Sequence, residues 1–163
     1  MAVSPTRELT FDEDHLAEVA AVLAELDAAT TGSASAWVNF VPEVEEGHDP
    51  PPRNPVVAIF SARGDAVPLA TWTSPARPGG RPNLGITHGS GPQALARLAR
   101  FGVELEPGWI KVADHPRRGL VVACPREVDP EHALWWLLTA THVLSVVPLT
   151  GTWLARIYTP AER

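Results

Sequence analysis

Asp129-Pro130-Glu131-His132-Ala133-Leu134-Trp135-Trp136-Leu137-Leu138, running on to about Val147, is the stretch that decides the fold. Asp129 offers a carboxylate N-cap, Pro130 suits the first helical position, and Glu131 puts negative charge at the positive end of the helix dipole. Behind them Ala133, Leu134, Trp135, Trp136, Leu137, Leu138, Ala140, Val143, Leu144, Val146 and Val147 leave no clear polar face. A helix that is apolar nearly all round lies buried inside something larger. The run is too short for a bilayer, and Thr139, Thr141, His142 and Ser145 interrupt it. Trp135 and Trp136 point about 100° apart on such a helix, so one of them can reach a second face, such as a subunit contact.

Working outward, the chain alternates helical and strand-like periods. Thr10-Phe11-Asp12-Glu13 has the pattern of a capping box, followed by Leu16, Val19, Ala20, Leu23 and Leu26, which predicts a helix over roughly 11–29. Residues 1–9 read as a flexible N-terminus without a secretory signal. Ala36–Val41 reads as a strand stopped by Pro42, and 42–55, with five prolines and four acids, as an exposed loop. Val56–Phe60 and Leu69–Thr73 predict a hairpin turning at Arg63-Gly64-Asp65. A second Pro/Gly-rich loop is expected over 74–89. Ser90-Gly91-Pro92-Gln93 looks like another capping box, opening a short helix to about Phe101 that Gly102 closes. Trp109–Ala113 and Leu120–Cys124 predict a second hairpin, and Gly151–Tyr158 a last strand. The order α-β-β-β-α-β-β-α-β predicts one α+β domain over 1–163, with about three helices against a mainly antiparallel sheet. The Trp-led strands at 37–40 and 109–112, with the apolar strands at 56–58 and 121–123, also suggest a weak internal duplication.

The net charge of −6 conceals an asymmetry. Residues 1–50 hold eleven acids and one base, Arg7, whereas 51–163 hold eight acids and twelve bases. The plain reading is attraction inside one fold or a solvated acidic face; the sharper one is a basic part that receives an anion. Overall acidity disfavours non-specific nucleic-acid binding. The single cysteine, Cys124, excludes an internal disulfide and fits a cytoplasmic setting.

Two stretches carry candidate chemistry. Gly85-Ile86-Thr87-His88-Gly89-Ser90-Gly91-Pro92 is a glycine-rich loop entering a helix, where backbone N–H groups can hold a phosphate or carboxylate. Thr87, His88 and Ser90 can add hydrogen bonds, and Arg77 or Arg81 charge. It has neither the Gly-Lys-Ser/Thr of a P-loop nor a dinucleotide fingerprint, and the plain alternative is a linker ending in an N-cap. Asp114-His115-Pro116-Arg117-Arg118-Gly119 sets an acid beside a histidine and two arginines, enough for a tuned base and an anion clamp, or simply a polar hairpin turn. The two stretches reinforce each other only if they meet in space. The histidines at 15, 48, 88, 115, 132 and 142 show no metal-ligand spacing, and no metal or cofactor is expected. Cys124 reads as a buried inert thiol.

The expected function is a non-catalytic cytoplasmic binding or partner-interaction protein, able to form a homo-oligomer, with a small anion-preferring pocket. Its candidate ligand-binding residues are Arg81, Thr87, His88, Ser90, His115, Arg117 and Arg118. One alternative is a small enzyme acting on an anionic metabolite, with His88 or His115 as acid/base. The other is a structural subunit whose acidic helix and 42–55 loop meet a basic patch on another chain.

Overall fold

In a computed structural model, which describes residues 4–30, 34–52, 61 and 63–160, the elements follow in the order β1 (Arg7–Asp12), α1 (Ala17–Ala28), β2 (Trp37–Val44), β3 (Leu69–Thr73), β4 (Asn83–Thr87), α2 (Ala94–Arg100), β5 (Ile110–His115), β6 (Gly119–Ala123), α3 (Pro130–Leu144) and β7 (Leu149–Tyr158). The seven strands make one sheet in the order β1-β7-β2-β3-β4-β6-β5, and every pairing is antiparallel. With three helices among the described residues beside it, the fold is α+β as the residue pattern predicts.

Strand residues alternate between two faces. Val38 and Phe40, Ala70 and Trp72, Leu84 and Ile86, Leu120 and Val122, and Trp153, Ala155 and Ile157 are buried. The three helices cover this face: α3 touches β3, β4, α1 and α2. Asp129 caps α3 by accepting from the Glu131 amide, with Pro130 at the head of the helix. Ala133, Leu134, Trp136, Leu137, Leu138, Ala140, Thr141 and Leu144 of α3 are buried, and Trp109 meets Trp136 edge-on at 5.1 Å. The opposite face is half-exposed, with Trp37 stacked on Tyr158 at 4.9 Å and Thr71 donating to Asn39 at 3.0 Å. No described helix is long and apolar enough to cross a membrane.

The structure departs from the sequence reading at several places. Residues 7–12 are an edge strand on β7, so the flexible terminus does not reach residue 9 and Thr10 caps no helix. Leu9 and Phe11 face the core side opposite Ala155 and Trp153; this period of two was hidden beside charged neighbours. Helix α1 starts at Ala17, and Asp12 instead braces the intervening turn through the Asp14 amide and the His15 ring. Strand β2 runs through Pro42 to Val44, because Pro42 lies beyond the last β2–β3 pair, where no ladder bond is needed on that side. The predicted strand 56–60 lies outside the described residues. Both edges of Leu69–Thr73 are taken by β2 and β4. Strand β4 lies inside the expected 74–89 loop: Leu84 and Ile86 supply its buried side, while Asn83 and Gly85 on the other side mask its period. The Trp-led segments compared as a duplication occupy unlike places, β2 mid-sheet and β5 at an edge.

Candidate functional site

The two stretches singled out in the sequence do meet. Ile86 pairs with Leu120 across β4 and β6, and His115 pairs with Gly119 at the β5–β6 turn. Asp114, near the end of β5, accepts from the Ala94 and Leu95 amides at 3.0 and 3.1 Å. A third segment joins them, since the Gly64 amide donates to Pro116 O at 3.0 Å. The contact changes the chemistry expected of the loop. The amides at the head of α2, which can hold an anion, hold the Asp114 carboxylate. Ser90 is therefore not the helix cap. Gln93 takes that position in the left-handed region, at φ 61°, without a side-chain cap bond.

His88 is buried. Its Nδ1 lies 2.9 Å from Ser90 Oγ, and its Nε2 has no hydrogen-bond partner among the described residues. Burial holds the ring below its usual pKa, with Asp114 opposing and Arg97 adding to the shift, so it is neutral at pH 7. A Ser–His contact is part of what an activated nucleophile needs. No described carboxylate hydrogen-bonds the ring to orient it; the Asp114 carboxylate accepts from the α2 amides instead. His115 Nδ1 accepts from the Arg117 and Arg118 amides at 3.1 and 3.3 Å, which makes it a brace for its own turn. The Arg117 and Arg118 side chains are exposed. Thr87 is also exposed, its Oγ1 3.5 Å from Leu69 O. Arg81 is not brought to this cluster: it precedes β4, at the end opposite His88, and donates to Gly108 O at 3.0 Å.

A different region forms a shallow cleft. Where the chain turns from β1 into α1 it runs against the outer side of α3, leaving a cleft of about 170 Å³ bordered by Glu13, Asp14, Leu16, Trp135, Leu138 and Thr139. It opens into a wider part of about 360 Å³ bordered by Glu13, Asp14, Asp129, Glu131, His132 and Trp135. Trp135 is 52% exposed while its neighbour Trp136 is 2% exposed. The 100° step along the helix separates them as the sequence predicts. Each polar neighbour has a definable role. Glu13 Oε1 accepts from Trp153 Nε1 at 2.8 Å and meets His142 Nε2, pinning the turn to the core. His132 reaches Glu106 and lies against the Trp135 ring at 6.1 Å. Asp129 caps α3. Asp14 and Glu131 are exposed, and their carboxylates bond to no described residue. Sequence reading flagged the tryptophan pair but missed these acids, because the turn and the helix are far apart in the chain and only folding joins them.

Among the described residues no group of histidine, cysteine and carboxylate side chains is arranged to hold a metal. Cys124 is buried, and burial pushes its thiol up to about 12, which makes it a poor nucleophile. No protein-family model matches the chain, and no curated protein or solved structure matches it.

Proposed function

We propose that this chain is a non-catalytic binding protein that docks a partner protein through the face around Trp135. One observation carries the reading: α3 buries nearly all its apolar residues yet leaves one indole half in water, beside a cleft that Leu16 and Leu138 line together with Glu13, Asp14 and Thr139. Large exposed aromatics rimmed by polar groups mark interaction sites, and tryptophan is enriched among residues that dominate binding energy. A cytoplasmic setting belongs to the proposal, supported by a lone cysteine that remains a buried thiol. A homo-oligomer is the version in which the partner is a second copy. The test is affinity capture with wild-type and Trp135→Ala baits of equal thermal stability, followed by reconstitution with the purified partner. The reading expects capture lost with the variant and an affinity at least about tenfold weaker. Equal capture by both baits overturns it.

A second reading retains a small anion at the loop cluster, against Arg117 and Arg118 and not on α2. It is favoured by their exposure and by the absence of any side-chain ion pair to described residues. Sulfate and phosphate titrations followed by thermal melting test it, since ligand at about 100 times its Kd adds roughly 2.7 kcal/mol. A rise abolished in Arg117→Ala supports this reading, and an unmoved melting temperature removes it.

A further inference from the structure

We propose that the cleft receives a basic segment of a partner protein, seating a lysine or arginine side chain on Trp135 between Asp14 and Glu131. The inference rests on the partner-docking reading and gives that partner its chemistry. Four carboxylates border the wider part of the cleft, and no lysine or arginine does. Two of them, Glu13 and Asp129, are engaged inside the fold, and Glu131 also sits in the first turn of α3, at the positive end of its dipole. Asp14, on the turn, and Glu131, about one helical turn before Trp135, are exposed and line the same part of the cleft as the indole. An aromatic face attracts a cation, and flanking carboxylates add to that attraction. Glu13 and Asp14 from the turn and Asp129 and Glu131 from the helix give the cleft lining a negative sign. A lone ammonium ion keeps its hydration in so open a space. A chain segment does more: it sets its cation beside the acids and an apolar neighbour in the narrower part, against Leu16 and Leu138.

The experiment uses the full chain and a fluorescein-labelled decapeptide alternating arginine and leucine, with matched peptides carrying glutamine or glutamate in place of arginine. Binding is followed by fluorescence anisotropy at low and moderate salt. The arginine peptide is expected to bind and to weaken about tenfold between roughly 20 and 200 mM NaCl, while the glutamate peptide does not bind. Trp135→Ala and the double variant Asp14→Asn/Glu131→Gln each weaken it by about tenfold. Glu45→Gln/Glu46→Gln, which removes the same charge from an exposed turn outside the cleft, leaves binding within about twofold. Melting curves confirm that each variant is folded. If the glutamine peptide binds as tightly and is equally sensitive to Trp135→Ala, docking stands and the cationic claim falls. Arginine-peptide binding that ignores the cleft variants, or falls as far in Glu45→Gln/Glu46→Gln, assigns it to diffuse charge and overturns the inference. So does no binding by any peptide. Salt-sensitive self-association lost in Arg117→Ala/Arg118→Ala gives the cleft to a second copy and overturns the separate partner.

Discussion

Trp135 and Trp136 are chemically identical neighbours with opposite fates. Trp136 sits under Trp109 and donates through Nε1 to Glu104 O, so Trp136→Ala leaves a cavity and strands a carbonyl. It should cost roughly 3–5 kcal/mol in urea unfolding, against less than about 1 kcal/mol for Trp135→Ala. Similar costs at both positions would contradict the assigned burial. Asp27 is the other residue with a distinct signature. Burial raises its carboxyl to about 6, against the pull of Trp72, which donates to it. The folded state therefore holds this proton more tightly than the unfolded chain, so Asp27 costs stability above pH 6 and the cost fades as the pH falls towards 4. Asp27→Asn keeps an acceptor for Trp72. It should stabilise by about 1 kcal/mol at pH 8, the shift being discounted for partial solvation, and by almost nothing at pH 4. Equal stabilisation at both pH values would contradict this account. Neither residue's environment follows from its immediate neighbours. The helix period separates the two tryptophans, but which of them faces out depends on where the sheet lies.

At the scale of elements, α3 was legible because cap, proline and first-turn acid agree with the apolar run that follows. Strand β4 was not, because its open-face positions are Asn83 and Gly85, which weaken the strand pattern that Leu84 and Ile86 begin. Strand β1 was hidden for a different reason: a short, charged edge strand owes its existence to β7 and not to its own propensity. The β5–β6 turn illustrates how pairing fixes sequence. Gly119 adopts φ +90°, and a Cβ there would lie 2.2 Å from Ile86 O, a main-chain atom of the adjacent strand. Gly119→Ala should lower stability by at least about 2 kcal/mol, combining left-handed strain with the clash. A loss below about 0.5 kcal/mol would show that β4 is not held so closely. Helix α2 depends on a residue outside itself. Asp114→Ala leaves two amides without their carboxylate and should cost about 1–2 kcal/mol, a fall of several degrees in Tm. An unchanged Tm would contradict the capping role. The helix head that follows the glycine-rich loop holds an anion from within the chain, the Asp114 carboxylate, through the Ala94 and Leu95 amides. Its ligand was invisible because the acid comes from β5, on the far side of the intervening helix.

At the scale of the molecule, the described helices cover one sheet face and leave the cleft beside Trp135 as a place where exposed aromatic surface and carboxylates coincide. The alternation of helical and strand periods made the α+β class and most elements readable. The cleft was not, because Asp14 and Glu131 become neighbours only when the β1–α1 turn docks on α3. Of the four carboxylates there, Glu13 and Asp14 come from the acidic first fifty residues, and Asp129 and Glu131 come from the basic remainder of the chain. The most direct measurement is ¹⁹F NMR of protein labelled with 5-fluorotryptophan, its six resonances assigned by single Trp→Phe variants and followed during titration with the arginine–leucine peptide. The account predicts that the Trp135 resonance shifts and saturates while those of Trp72, Trp109, Trp136 and Trp153, all buried, stay in place. A silent Trp135 resonance in a titration that shifts Trp37, on the open face of the sheet, would contradict it.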